Sequence, residues 1–149
     1  FIHAFFALVL LVVSLLYGYR PSLYMIQIVY YSLGLLVFSL GLSYITSAIV
    51  VFFRDLTQII SIGLQLGMWA TPVLWDISMA NNWSPVIAFI IKLNPVCYVV
   101  TGYRSAIYGE QWFFERPGYT LYFWVVSLGL LFVGRKLFDK LKFHFADVL

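Results

Sequence analysis

Residues 21–53 and 56–75 carry no charged side chain, and only Arg54 and Asp55 lie between these two runs. A helix needs about 20 apolar residues to cross the hydrocarbon core of a bilayer, and both runs reach that length. Two such helices joined by so short a polar turn predict a membrane hairpin. We expect the Arg54-Asp55 turn to lie at a membrane surface and to contact a soluble partner.

The composition places the rest of the chain in a membrane as well. Hydrophobic residues make up 63% of the sequence and charged residues 10%, and the mean hydropathy is +0.95. This leaves too little polar surface to cover a soluble globule. The apolar runs are continuous and lack the two-residue alternation of barrel strands. The predicted fold class is therefore an all-α integral membrane protein, a polytopic helical bundle.

Breaks in the apolar pattern predict four membrane spans, at about residues 2–17, 23–52, 56–73 and 119–135. The second would be about 45 Å long as one helix, which exceeds the hydrocarbon core of about 30 Å. We expect it to tilt, to kink near Gly34 or Gly41, or to project from the bilayer. The third should end at Thr71-Pro72, because proline removes a backbone donor.

Basic residues after the last span suggest an orientation. Arg135, Lys136, Lys140 and Lys142 follow one another closely there. Basic flanks favour the cytoplasm, so we expect the tail 136–149 and the Arg54-Asp55 turn inside, and the segment 76–117 outside. This cluster is typical of a membrane flank rather than a nucleic-acid surface. The chain starts within an apolar run without Met, so we also expect an upstream part.

The predicted external segment contains a second unusual feature. Residues 83–108 are mostly apolar but are interrupted by Asn94-Pro95, which leaves two pieces that are each too short to cross a bilayer. We expect an external re-entrant helical hairpin, surrounded by protein or by a watery cavity. Lys92 supports this, since a lysine that faces lipid at mid-depth costs about 2.5–3.5 kcal/mol.

Residues for covalent chemistry are scarce. His3 and His144 have no partners at metal-ligand spacing, and the single cysteine, Cys97, is typical of apolar packing. The sequence contains no phosphate-binding glycine loop, nucleophile elbow or carboxylate pair within a span. We therefore expect no catalytic residue, no metal and no cofactor in this chain, and any ATP must be bound by another chain.

Three groups of residues allow both a structural and a functional interpretation. Ser39, Ser43 and Ser47 recur every four residues, as in close helix packing or in a smooth wall for a polar polymer. Lys92 and Arg104 suit lipid headgroups or the phosphates of an anionic substrate. Arg54 and Asp55 suit the start of a helix at the membrane flank, a docking surface, or both.

Aromatic residues gather in the predicted outer half of the protein. Such residues anchor a protein at the membrane interface, and their faces also pack against sugars. The tryptophans of this group are Trp69, Trp75, Trp83, Trp112 and Trp124, and its tyrosines include Tyr98 and Tyr103.

The order of several short landmarks resembles a known family. They are Phe53-Arg54-Asp55, Thr71-Pro72-Val73-Leu74-Trp75, Leu93-Asn94-Pro95, Tyr103-Arg104 and the ending Lys142-Phe143-His144-Phe145-Ala146-Asp147-Val148-Leu149. Together they resemble the permease subunit of ABC-2 type polysaccharide exporters. The ending and the segment Tyr119-Thr120-Leu121-Tyr122-Phe123-Trp124 are most similar to teichoic-acid translocation permeases.

The resemblance implies a six-span permease in the bacterial cell membrane, of which this chain would supply spans three to six. It also implies a second copy of the permease, two copies of a separate ATPase subunit that binds ATP and Mg, and a lipid-linked glycopolymer exported between the permease halves. It places Arg54 and Asp55 in a cytoplasmic turn and Asn94-Pro95 in external gate helices. Our own hypotheses for the site residues are ATPase coupling for Arg54 and Asp55, conduit lining for Ser39, Ser43, Ser47, Trp69 and Tyr98, and a gate formed by Lys92, Asn94, Pro95, Tyr103 and Arg104. The family's first two spans and main coupling helix have no counterpart here.

Other functions agree with the same sequence. A permease for O-antigen-like polysaccharide or for a drug differs only in its substrate. An integral-membrane enzyme acting on lipid-linked sugars would need acidic or histidine residues grouped near one membrane face, whereas the acids here are scattered. A purely structural membrane subunit would lack a continuous polar or aromatic path between two copies.

Overall fold

The computed structural model describes residues 2–19, 22–53, 55–73, 75, 79 and 84–143. This part of the chain is helical and contains no strand, which confirms the predicted fold class of a helical membrane protein. Its α-helices are α1 (Ile2–Leu16), α2 (Gln27–Val50), α3 (Leu56–Ala70), α4 (Pro85–Lys92), α5 (Pro95–Tyr108) and α6 (Pro117–Leu141). Short 3-10 helices at Leu23–Ile26 and Phe113–Glu115 precede α2 and α6.

Within the described residues, two helices are long and apolar enough to cross a membrane: Leu23–Val50, which includes α2, and α6. The pair α4 and α5 meets at an angle of 90° and is either a broken span or a re-entrant loop. The shorter apolar helices α1 and α3 have 15 residues each, or about 22 Å. Helix α2 continues through Gly34 and Gly41, which lie at its packing face.

Helix α6 extends beyond the span predicted for it. The sequence suggested a tail from residue 136, but the helix continues to Leu141. Asp139 lies 4.0 Å from Arg135 and 2.7 Å from Lys142, in the i,i+4 and i,i+3 positions that helical ion pairs occupy. The charges mark the end of the apolar stretch, whereas the backbone stays helical. Residues 144–149 lie outside the described residues.

The helices α2 and α6 form the largest interface and run in the same direction. Gly34 lies against the Phe123 ring, Gly41 lies against the backbone of Leu131 further along α6, and Gly134 lies against Gly41 and Tyr44. The partner on α6 therefore advances as the position on α2 advances. Consequently the α2–α3 turn and the basic end of α6 lie at the same end of this helix pair.

Helix α5 packs against the N-terminal halves of α2 and α6. The buried core contains Tyr31, Phe38, Tyr98, Val99 and Phe123, contributed by these three helices. Because α6 begins near the start of α2, the segment between α5 and α6 lies at that end too. There, the buried side chain of Gln27 bonds the backbone of residues 111 and 113.

The helices α1 and α3 lie at the edge of this core. Ser14 is the only buried residue of α1, and α3 has none. Most of their apolar side chains therefore face away from the described helices, as expected for segments that contact lipid or other chain segments.

Candidate functional site

The bend between α4 and α5 is produced by local sequence. Ser84 and Asn94 are the N-caps of the two helices, and each accepts a hydrogen bond from the backbone amide two residues on, that of Val86 at 3.3 Å and that of Val96 at 3.0 Å. A proline, Pro95 in the case of α5, follows each cap at the first helical position, where its missing N–H costs nothing. Two new helices are thus started within a short stretch, and they meet at 90°.

Polar bonds connect this bent pair to the end of α3. The Asn94 amide Nδ2 donates to Thr71 Oγ1 at 2.9 Å, and Thr71 Oγ1 donates to the Gly67 carbonyl at 2.7 Å. On α5, Arg104 Nη1 donates to the Trp75 carbonyl at 3.0 Å and Nη2 donates to the Val73 carbonyl at 2.9 Å. We call the Asn94–Thr71 bond and the two Arg104 bonds the α3 clamp.

The clamp changes the expectation for two predicted gate residues. The sequence suggests Lys92 and Arg104 as a pair for lipid headgroups or for the phosphates of an anionic substrate. The guanidinium of Arg104 instead holds backbone carbonyls, so it would have to release them to bind an anion. Lys92 is exposed at the last position of α4. The structure brings Asn94 and Arg104 to the same element, the end of α3, while Lys92 remains apart from it.

Tyr103, another predicted gate residue, joins a polar cluster with His3 and Ser32. Its hydroxyl lies 2.6 Å from Ser32 Oγ and 2.9 Å from His3 Nε2. Ser32 Oγ also donates to the Ile28 carbonyl at 2.7 Å, and this carbonyl can only accept. Tyr103 therefore donates to Ser32, and His3 Nε2–H donates to Tyr103. The cluster links α1, α2 and α5.

Two predicted conduit residues lie in opposite environments. Trp69, on α3, is 66% exposed, whereas Tyr98 is 3% exposed. The Tyr98 ring stacks on Phe123 with centroids 4.7 Å apart, and its hydroxyl lies 3.0 Å from that of Thr120. The structure thus places Tyr98 in the core instead of on an open surface. The sequence could not distinguish these positions, because aromatic residues are equally suited to both.

The small residues of α2 divide into two faces. Gly34, Gly41 and Ala48 are buried at intervals of seven residues and face the helices packed against α2. The exposed serines predicted to line the conduit face cavities instead. Ser39 lies at a cavity of about 450 Å³ between α1 and α2, and Ser43 and Ser47 lie at a groove of about 540 Å³ between α2 and α3. The glycines therefore serve close helix packing, whereas the serines lie on open surfaces that could contact a polar polymer.

The predicted coupling surface is described in part. Asp55 is exposed and immediately precedes α3, and its backbone carbonyl accepts from the amide of Gln58 at 3.1 Å. Its side chain makes no cap bond to α3. Arg54, and Trp83 of the predicted external hairpin, lie outside the described residues.

Sequence reasoning missed two structural residues. Gln27 is 2% exposed and bonds both the Gln111 carbonyl, at 3.1 Å, and the Phe113 amide, at 2.7 Å. Thr71 is also 2% exposed and is the acceptor in the clamp. A signal existed for Gln27, since an amide side chain inside an apolar run must find partners. For Thr71, the neighbouring proline was enough to explain the end of the helix, so nothing in the sequence indicated a hydrogen bond from Asn94.

These helices, with two parallel apolar helices and a bent apolar pair, define a helical membrane protein. Comparison with known proteins gives more detail. The chain is 31% identical over 134 residues to an O-antigen export system permease protein RfbA of Klebsiella pneumoniae, covering 89% of the chain and 49% of the relative. It is 32% identical over 142 residues to another RfbA of that organism, covering 95% and 52%. An O-antigen export system permease protein RfbA of Myxococcus xanthus is 33% identical over 138 residues, covering 93% and 52%.

The chain spans about half the length of these curated relatives. No family model and no solved structure matches it. Its homologues are thus polysaccharide export permeases, a class whose members move a substrate across a membrane.

Proposed function

We propose that the chain is part of the permease subunit of an ATP-driven exporter of lipid-linked polysaccharide. The observation that carries this proposal is the similarity to export permeases over 89–95% of the chain. The helical membrane fold agrees with it. Residues 2–143 would supply spans and a gate, and the permease would perform no covalent chemistry.

The partners we propose are two copies of a separate ATPase, which binds ATP and Mg, and a second copy of the permease. ATP binding would close the ATPase dimer and move the cytoplasmic turns of the permease. The exposed carboxylate of Asp55 and the neighbouring Arg54 are the contacts we propose at the α2–α3 turn. This turn lies at the same end of the α2–α6 pair as the basic residues of α6, which supports a shared cytoplasmic location.

The geometry also supports a one-sided course for the bent pair. The Tyr122 hydroxyl, near the start of α6, donates to the Leu93 carbonyl at the bend at 2.6 Å. At the other end of α5, Gly109 lies near Tyr24, just before α2. Both the bend and the end of the pair thus lie near the starts of α2 and α6, which we propose to be the outer face.

For the substrate, we propose an O-antigen-like polysaccharide, because the relatives export O-antigen. Teichoic acid is the second candidate, favoured by the landmarks in residues 119–124 and 142–149. The two polymers differ in phosphate content. The engagement of Arg104 with backbone carbonyls removes one of the two cations expected to attract phosphate, which favours the less anionic polymer.

The test is reconstitution of the full-length permease with its ATPase in proteoliposomes. Neutral and phosphate-rich lipid-linked polymers are supplied on the ATPase side, and polymer that becomes accessible on the other side is measured. We expect ATP-dependent export of the neutral polymer, absent with an ATPase that cannot hydrolyse ATP. Export of the phosphate-rich polymer alone would identify teichoic acid, and ATP-independent modification of either polymer would refute a permease.

The topology needs a separate test. Cysteines are placed at position 109 and at the C-terminus of the full-length permease, and each is labelled with an impermeant thiol reagent in intact cells. We expect labelling at 109 only. Labelling of both or of neither would place the two positions on one side and would contradict the proposed orientation.

A further inference from the structure

Helix α3 is attached at its ends more firmly than along its length. None of its residues is buried, although it extends about 22 Å. Its first end follows the turn that contains Asp55, and its last turn leads into Thr71, which is buried together with Pro72. A helix held in this way moves as a unit, because little side packing resists it.

At the last end of α3, the clamp connects two separate points of the bent pair. Asn94 contacts α3 from the bend itself, where it is also the N-cap of α5. Arg104 contacts the residues that follow α3 from a position ten residues further along α5. With two attachment points on one helix, a shift of the end of α3 must turn or carry α5 as a whole.

The chemistry of these contacts makes the connection between α5 and α3 stiff. The two guanidinium nitrogens of Arg104 donate in a fixed fork to two carbonyls, so the bond resists both sliding and rotation. Thr71 passes the contact into α3, because its hydroxyl accepts from Asn94 and donates to the Gly67 carbonyl. Thr71 is 2% exposed, so loss of the Asn94 bond leaves a buried hydroxyl without one of its partners.

We propose that the α3 clamp transmits the movement of the α2–α3 turn to the bent pair, with Thr71, Asn94 and Arg104 as positioning residues. This inference rests on the proposed function, in which the turn contacts the ATPase and the bent pair gates the outer side. Helix α3 is then the mechanical connection between the two membrane faces.

Variants that break the clamp from opposite sides test this inference in the full-length permease with its ATPase. Thr71→Val keeps the shape of the side chain but removes the hydroxyl, and Arg104→Met keeps the length but removes the donors. The matched control is Thr101→Val on α5, because the Thr101 hydroxyl bonds only carbonyls of its own helix, those of Cys97 and Tyr98.

The readout is polymer exported per ATP hydrolysed, together with the amount of assembled complex. We expect export per ATP to fall about threefold in Thr71→Val, which loses one interhelical bond, and about tenfold in Arg104→Met, which loses two charge-assisted bonds. ATP hydrolysis and assembly should remain at the wild-type level, as should all properties of Thr101→Val. Unchanged export per ATP in both clamp variants would overturn the inference while leaving the proposed function standing.

A second measurement does not depend on transport. Spin labels are placed at Met68 on α3 and at Tyr108 on α5, both exposed, and the distance distribution between them is recorded. We expect a narrow distribution for the parent protein and for Thr101→Val, and a broad one for Thr71→Val and Arg104→Met. If the distribution stays narrow in both clamp variants, α3 and α5 are held by something else. If the labels respond as expected but the parent protein exports no polymer, the clamp holds and the proposed function fails.

Discussion

The closest approach of α2 and α6 offers a test of the fold. A Cβ added at Gly41 would lie 2.8 Å from the Leu131 nitrogen and 3.0 Å from the Leu130 carbonyl carbon. One added at Gly134 would lie 2.7 Å from the Gly41 oxygen. All three neighbours are backbone atoms, which no change of rotamer can move. The two helices would have to separate, or the backbone would have to shift.

The expected magnitude follows from two opposing terms. Overpacking of a close contact costs about 1–3 kcal/mol. Replacing glycine by alanine within a helix returns up to about 1 kcal/mol through helix propensity. We expect Gly41→Ala and Gly134→Ala each to lower the free energy of unfolding by about 1–2 kcal/mol. Gly129→Ala is the matched control on α6, because nothing lies within 4 Å of its added Cβ, and it should be neutral or stabilising.

The assay is equilibrium unfolding of the full-length permease in mixed micelles, followed by tryptophan fluorescence. The double variant of Gly41 and Gly134 should cost less than the sum of the single variants, since helices already moved apart by one methyl group accommodate the second. If Gly41→Ala and Gly134→Ala unfold at the same denaturant concentration as Gly129→Ala, the backbone contact between α2 and α6 does not exist and the register described here is wrong.

Three other substitutions have defined outcomes in the same unfolding assay. Gly102→Ala would place a methyl group in the ring of Tyr31, and we expect a loss of about 1–3 kcal/mol that the double variant with Tyr31→Leu partly restores. Gln27→Leu removes the acceptor of the part-buried Phe113 amide and the donor to the Gln111 carbonyl, which should cost about 1–3 kcal/mol. Asp139→Asn breaks exposed ion pairs only, so we expect the unfolding midpoint to stay the same, and a clear loss of stability would show that this end of α6 is covered.

Local signals in the sequence were sufficient for the helices. Asn94-Pro95 follows the end of α4 and begins α5. At Thr71-Pro72, helix α3 ends because Thr71 makes the last helical backbone bond and Pro72 has no N–H to continue it. Such rules act within one turn of helix, so they need no knowledge of the rest of the fold. Helix α6 continues to Leu141, beyond the predicted span, because charge marks the membrane boundary, whereas hydrogen bonding decides where the helix ends.

The same local signals do not predict which helices contact each other. The bond from Asn94 to Thr71 joins two short motifs that the sequence places in separate elements. Nothing in either motif indicates that it contacts the other. The serines and glycines of α2 show the same limit: both sets are small, and only the position of α6 separates the packing face of Gly41 from the cavity face of Ser43. For the same reason the sequence did not indicate that Tyr98 is buried against Phe123.

The shared direction of α2 and α6 has a consequence for biosynthesis. Parallel helices cannot be neighbours in the chain, so α2 must enter the bilayer and wait while α3, α4 and α5 are synthesised. During that interval the face around Gly41 lacks the α6 backbone that covers it in the folded protein. A ribosome stalled before Pro117 would leave this seam open, and we expect the nascent chain to become a target of membrane proteases there, with resistance gained only when α6 arrives.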